Sequence, residues 1–225
     1  EMARIQAEAA EMARAFNRRV AGPPKMQLNF LDTQVYRCKD EDYPNGEASV
    51  LVEQELEGRF RKWNNNNGNV YPQPLTMESS TMATASRPAP SSLLGAIYED
   101  EDEKSSEEEE TVNVGNELNE LPQCFSHFTY EHSQKCKLVC DLQGVWNATD
   151  GFVFTDPVIH YISRLGKSRH KNGGTDKGAQ GMLSFFKTHV CSQLCRSLGL
   201  GKPNVAALTT AANEEARTCV VCMEE

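Results

Sequence analysis

The chain has 225 residues, 39% of them hydrophobic, and a formal net charge of −9 at pH 7. That length can bury one domain with a substantial core or two small ones; the acidic balance argues against non-specific binding to nucleic acid, and no apolar run approaches the ~20 residues needed to cross a bilayer. No basic start followed by an apolar segment suggests a signal peptide, and of the eight cysteines several stand in Cys-x-x-Cys or His-x-Cys spacing, which favours metal binding in a reducing, cytoplasmic compartment over a disulfide framework.

Residues 1–17 place Met2, Ile5, Ala9, Met12 and Phe16 at steps of three and four, which predicts an amphipathic helix with one apolar face. Pro23-Pro24 stops it. Residues 26–38 then read as an extended segment, and Val50-Leu51-Val52 as a short apolar strand. The strand runs out at Glu53-Gln54-Glu55-Leu56 before Gly58, which suits a hinge whose backbone groups hydrogen-bond a planar ligand. The asparagine run that follows, 64–67, also fits a solvated turn. From about Tyr71 to Leu121 the chain is rich in Pro, Ser, Thr and Met and then almost wholly acidic. Such a stretch buries too little apolar surface to offset the entropy of ordering it, so a disordered insertion is expected.

Cys136-Lys137-Leu138-Val139-Cys140 reads as a mostly buried strand that turns polar at Asp141-Leu142-Gln143-Gly144. Asp141 and Gln143 lie two residues apart, hence on one side of an extended segment. A second acid follows in Thr155-Asp156-Pro157, where the proline fixes a turn. Two carboxylates and an amide oxygen form a hard, oxygen-rich set of the kind that holds magnesium against phosphates, although an Asp after a strand is also a common turn residue. The segment Gly173-Gly174-Thr175-Asp176-Lys177-Gly178 is a flexible loop.

Residues 181–200 return to helix, with Met182, Phe186, Val190, Leu194 and Leu198 as a core-facing stripe. Within it, His189-x-Cys191-x3-Cys195 supplies three soft or borderline metal ligands, and His127 is the candidate fourth. Cys191 and Cys195 share a helix face, but at about 100° per residue His189 sits roughly 200° from Cys191, so the helix must break between them. The tail closes on Cys219-Val220-Val221-Cys222, like the opening pair of a RING-type zinc module; two cysteines alone cannot complete a tetrahedral site.

These blocks, together with Val52-Glu53-x-x-Leu56-x-Gly58-x-Phe60-x-Lys62-Trp63 and Phe125-Ser126-His127-Phe128-Thr129-Tyr130, resemble the atypical alpha-kinase family in content and order across about residues 1–200. The resemblance implies an α+β, two-lobed protein-kinase-like fold with an incomplete N-lobe and a zinc-stabilised C-lobe. Its strands would be 26–38, 50–53 and 135–141. Residues 1–70 would hold the remaining N-lobe and hinge, 71–121 the insertion, 122–203 the C-lobe and 204–225 the tail.

The resemblance further implies ATP-dependent transfer of the terminal phosphoryl group to a serine or threonine of a protein substrate, with ATP, Mg2+ and Zn2+. Asp141 would be the catalytic carboxylate. The backbones of Glu53 and Leu56 would meet adenine, Lys62 and Asn66 the phosphate end, and Gln143 and Asp156 magnesium and phosphates. Gly173 and Gly178 would bound a loop that helps bind substrate, and Asp176, where the family usually has Asn, would add negative charge near the phosphates. His127, His189, Cys191 and Cys195 would close around a structural zinc. In the family a glycine-containing hairpin and a phosphate-gripping lysine precede the first helix, so the chain is expected to be part of a longer gene product. A second reading, from a different class, is a catalytically impaired pseudokinase or zinc-stabilised interaction module linked to a RING-type ubiquitin-ligase segment.

Overall fold

The computed structural model describes residues 1–43, 46–71, 106–163 and 171–221, apart from the side chains of 106–117 and 217–221. In chain order the elements are α1 (Met2–Val20), β1 (Leu28–Phe30), β2 (Gln34–Lys39), β3 (Glu47–Val52), β4 (Arg61–Lys62), α2 (Ser106–His132), β5 (Lys137–Cys140), β6 (Gln143–Asn147), β7 (Gly151–Thr155), β8 (Val158–Tyr161), α3 (Gly178–Thr188), α4 (Gln193–Ser197) and α5 (Val205–Val221).

Helix α1 buries Ile5, Ala9, Met12, Ala13 and Phe16, the face that the three-and-four spacing dictates. It ends just ahead of the prolines because Ala21 turns left-handed (φ 50°) and donates its N–H to the Asn17 carbonyl. The segment expected to be one strand, 26–38, is instead divided. Leu28 and Phe30 are buried on one face of β1, which pairs in parallel with β7, whereas β2 is exposed throughout and forms a separate antiparallel ribbon with β3. The change from half-buried alternation to full exposure separates the two strands.

Composition predicts disorder up to Leu121, but α2 begins at Ser106, so the expected boundary at 121 falls inside a helix. Leu118, Leu121, Cys124, Phe125 and Phe128 recur at three- and four-residue steps and are all buried. Among the described side chains the stripe runs from Leu118, past an acidic tract that dominates the composition upstream, which is why composition hides it. Residues 72–105 of the expected insertion lie outside the described residues.

One four-stranded sheet has the order β1-β7-β6-β4, and β5 pairs with β8 alone. The register runs unchanged from Asn147↔Gly151 at the β6–β7 hairpin to Lys137↔Tyr161 at the far end of β5–β8. The two ladders are therefore one long ribbon, interrupted where both strands change sheet. Its inner end is sealed by aromatics. Trp63 packs edge-on to Phe152 and Phe154 at 5.2 and 5.4 Å, and Phe16 of α1 packs edge-on to Phe125 and Phe128 of α2 at 5.5 and 5.3 Å. A second cluster packs α3 and α5 on β5–β8 through Leu138, Met182, Phe185, Leu208 and Ala212.

Helix α3 stops at Thr188, His189 is extended (φ −69°, ψ 123°), and the chain resumes helix only at Gln193. This is the break that the ligand spacing demands. It also removes Val190 from the expected stripe: in the extended link it is 84% exposed. Cys219 falls on α5, and Cys222 lies outside the described residues. Among the described residues no helix is long and apolar enough to cross a membrane.

Candidate functional site

Asp141-Leu142 links β5 to β6, and Asp156-Pro157 links β7 to β8. With the register continuous through both links, the two acids sit together at the point where the ribbon changes sheet. Both adopt left-handed backbone, Asp141 at φ 60° and Asp156 at φ 48°. Asp tolerates that region better than most residues, and such strained positions collect at functional sites. The turn after Asp141 is clamped from outside: Asn64 Oδ1 accepts from Leu142 N at 2.9 Å, and Trp63 N–H donates to the Leu142 carbonyl at 2.8 Å. Asn64 is fully buried, so the asparagine run opens with a structural clamp and not a solvated residue. Gln143 stands in register with Lys62 on one side and Thr155 on the other, so the three side chains share a face. Glycine must follow, because a Cβ on Gly144 would lie 2.0 Å from the Val153 carbonyl oxygen.

Lys62 Nζ lies 2.7 Å from Asp141 Oδ1. A cleft of about 310 Å³ runs past Asp141 and Asp156 to Gly173, Gly174 and Thr175, with Met2 and Gln6 of α1 as its other wall. Met2, Gln6 and Asp156 also line a smaller cavity of about 190 Å³ that reaches Leu51 and Glu53 at the end of β3. The two form one groove from the expected hinge to the glycine loop. Burial raises the Asp156 carboxyl above its ordinary range, and repulsion from Asp141 and Glu53 adds to this; Lys62 opposes it in part. Burial also pushes the Glu53 carboxyl up, but hydrogen bonds from Thr155, Thr33 and Gln6 together outweigh it and leave that group below its usual range. The groove thus holds excess negative charge around Asp156, the condition for a cation.

The glycine loop is held from behind. Asp176 is fully buried and accepts from the N–H groups of Tyr161, Asn172 and Gly178 at 3.0, 3.2 and 2.9 Å. His160, also fully buried, donates from Nε2 to the Asn66 carbonyl at 3.0 Å and accepts Lys177 N–H at Nδ1 at 3.1 Å, which fixes its tautomer. Asn66 Nδ2 donates to the Thr175 carbonyl at 3.1 Å. The loop of 64–68 and the glycine loop are therefore one hydrogen-bonded unit.

Below the cleft, His127 on α2 meets His189, Cys191 and Cys195, with all four potential ligand atoms within 4.8 Å of one another. Cys191 Sγ is 3.8 Å from His127 Nδ1, and Cys195 Sγ is 3.7 Å from His189 Nε2. His127 Nε2 lies 2.9 Å from the Gly201 carbonyl, an acceptor, so it carries the proton and leaves Nδ1 free to ligate. Hydrogen bonding from buried Cys124, with further hydrogen bonds to His127, His189 and Ser192, depresses the Cys195 thiol despite its burial; the Cys124 thiol, facing Cys195, is raised. Two cysteine sulfurs and two imidazoles converging this closely fit a tetrahedral soft-metal site.

The structure lines one groove with Asp141, Asp156, Glu53 and Gly173, gathers His127, His189, Cys191 and Cys195 in a separate cluster, and gives the other expected site residues these surroundings. Lys62 is paired with Asp141. Asn66 serves the glycine loop. Asp176 points inward and shapes the loop instead of presenting its charge to phosphates. Gly178 starts α3, and Leu56 is half-buried outside both cavities. Gln6 carries no signal in the sequence. It is 3% exposed, donates to Glu53 Oε1 and the Leu31 carbonyl at 2.6 and 2.7 Å, and accepts from Asp156 N at 3.0 Å, tying helix, hinge and second acid together.

The chain matches the sequence profile of the alpha-kinase family over residues 1–87 and 97–195. It is 27% identical over 200 residues to human eukaryotic elongation factor 2 kinase, covering 89% of this chain and 19% of that protein. Against myosin heavy chain kinase B of Dictyostelium discoideum it is 40% identical over 91 residues, covering 40% of this chain and 11% of that protein. Among solved structures it is similar to the alpha-kinase domain of myosin-II heavy chain kinase A in complex with AMP-PNP, with a TM-score of 0.57 and 27% identity, covering 90% of this chain and 56% of that one. The chain therefore spans about a fifth or less of those relatives' full lengths and little more than half of that solved domain. With the profile matched over well more than half of its residues, and the paired acids and His/Cys cluster in place on the fold, the chain belongs to the alpha-kinase family.

Proposed function

We propose that this chain is a catalytic region of an ATP-dependent serine/threonine protein kinase of the alpha type, with phosphoryl transfer at the point where Asp141 and Asp156 meet. The observation that carries the reading is their placement on one groove, joined by Gln6 to the hinge at Glu53. Solved alpha-kinase domains in complex with AMP-PNP and with adenosine support ATP as the phosphoryl donor. Adenine sits at the backbone of Glu53, at the hinge end of the groove, and the phosphates extend toward Gly173.

Asp156 and Gln143 would supply oxygens to hold Mg2+, which would offset the charge of the phosphates. Asp141 orients the acceptor hydroxyl and takes its proton as the hydroxyl oxygen bonds to the terminal phosphorus and ADP leaves. Lys62 holds Asp141 in place beforehand; phosphates entering the groove compete for its ammonium group and release the carboxylate for the hydroxyl. His127, His189, Cys191 and Cys195 hold a structural Zn2+. Four protein ligands leave no open position, so the ion's task is to tie α2 to the α3–α4 link. The free cysteines suit a reducing, cytoplasmic setting.

The test is Mg2+-dependent incorporation of labelled terminal phosphate into serine or threonine of a protein substrate by the whole gene product. Incorporation is expected. Nucleotide binding without transfer would instead support the non-catalytic module, and loss of both binding and transfer would overturn the nucleotide assignment as well.

A further inference from the structure

Helix α3 begins at Gly178, directly after the glycine loop, and the side chain of its N-cap residue, Lys177, makes no capping bond. The first two N–H groups of the helix are instead taken by carboxylates. Gly178 N–H donates to Asp176 Oδ1 and Ala179 N–H to Glu215 Oε2, both at 2.9 Å. Asp176 belongs to the loop, but Glu215 comes from α5, 36 residues along the chain. A second observation marks the same contact: a Cβ on Gly178 would lie 2.6 Å from Glu215 Oε2, so the carboxylate packs directly against the first residue of the helix, where a φ of 53° itself favours glycine. Leu208 and Ala212, about two turns and one turn earlier on α5, are buried in the cluster with Met182 and Phe185 of α3 and fix the approach. Helix α5 lies beyond the residues that match the family profile, which end at 195.

We propose that Glu215 is a positioning residue for the glycine loop: from α5 it anchors the start of α3, and so holds Gly173, Gly174 and Thr175 against the cleft that Asp141 and Asp156 line. The proposal rests on the kinase reading for its effect on catalysis, but not for its effect on the loop. A carboxylate at a helix N-terminus satisfies an otherwise unpaired donor and complements the helix dipole. Its loss frees the joint between α3 and the loop. Ligand binding then suffers more than the chemical step, because Glu215 touches no reacting atom. Whatever displaces α5 acts on the groove through this contact.

The experiment compares the full chain with Glu215→Ala and Glu215→Gln by hydrogen exchange and by phosphate-transfer kinetics, with Asp141→Ala as the control for the reading. For Glu215→Ala the expected results are amide exchange over residues 171–179 faster by roughly three- to tenfold and a KM for ATP higher by a similar factor, with kcat within about twofold. Glu215→Gln, which keeps an acceptor oxygen, should recover most of both. Exchange and KM unchanged in Glu215→Ala overturn the proposal; if transfer is then still lost in Asp141→Ala, the kinase reading stands without it. If the parent chain transfers no phosphate, exchange alone decides: faster exchange confined to 171–179 supports the anchor, and unchanged exchange refutes it. Should Glu215→Ala lose protection throughout α3 and α5, Glu215→Gln decides instead: protection over 171–179 restored to near the parent supports the anchor, and exchange there as fast as in Glu215→Ala refutes it.

Discussion

Lys62 Nζ and Asp141 Oδ1, 2.7 Å apart, join the last residue of β4 to the first residue after β5, so the proposed catalytic carboxylate is held by the one short strand that follows the hinge. The pair is only partly shielded, with side chains 39% and 15% exposed, so its worth lies in aiming Asp141 more than in stability. Lys62→Met should lower phosphate transfer by about tenfold or more and raise the KM for ATP, with little change in melting temperature. Steady-state kinetics check this; rates equal to the parent would remove Lys62 from the site.

Asp156 links the site to pH. Its carboxyl is raised in the folded chain by burial and by repulsion from Asp141 and Glu53, so the folded state binds the proton more readily than the unfolded one. The stability this group gives is therefore fully present below the ordinary carboxylate range and is lost as pH rises through the raised folded value. Asp156→Asn should melt above the parent at neutral pH in the absence of metal, the difference closing as pH falls toward about 4. The same variant should lose Mg2+-dependent nucleotide binding. Thermal melts across pH and calorimetric titration with Mg2+ and nucleotide measure the two arms.

His160 works in the opposite direction. Burial depresses it, and this outweighs the hydrogen bond to the Asn66 carbonyl and the charges of Asp176 and Asp141, while Lys177 adds to the depression. The unfolded chain therefore takes up the proton first, so stability is fully present above about pH 6.5 and falls as pH drops below it toward the folded value. Protonation at Nδ1 would also break the bond from Lys177 N–H. His160→Gln should be less stable than the parent at pH 7.5 by about 1–3 kcal/mol, but should lose less on going to pH 5.5. Urea unfolding at the two pH values gives the comparison, and parallel pH losses would refute it.

For the His/Cys cluster, Cys195→Ala should abolish an equivalent of bound zinc per chain and lower stability by about 3 kcal/mol or more, and chelation of the parent should do the same. Elemental analysis and melting curves on one preparation suffice. Retention of both metal and melting temperature in the variant would exclude a structural zinc held by these four residues.

What the sequence revealed depended on whether the signal was local. The α1 stripe and the His189–Cys191 break follow from helical geometry over a few residues and appear in the structure as expected, whereas the approach of His127 to that cluster depends on long-range packing. The paired acids were legible as residue types, but their meeting depends on a register that carries through two ladders. Helix α2 was hidden because an acidic tract dominates the composition upstream of Leu118. The sequence points Asp176 and Asn66 toward phosphates and gives no signal for Gln6, since a polar residue facing a ligand and one satisfying buried N–H groups look alike in one dimension. Residues 26–38 read as one extended segment in the sequence for a related reason: only packing distinguishes β1, buried against β7, from the exposed β2.

The most direct measurement takes nucleotide binding and phosphate transfer together, on the parent and on Asp141→Ala, in the presence of Mg2+. The expected result is that Asp141→Ala still binds nucleotide, its groove and Asp156 being intact, while transfer to serine or threonine falls to background. Transfer by Asp141→Ala at the parent's rate would contradict the assignment of the reaction to this residue.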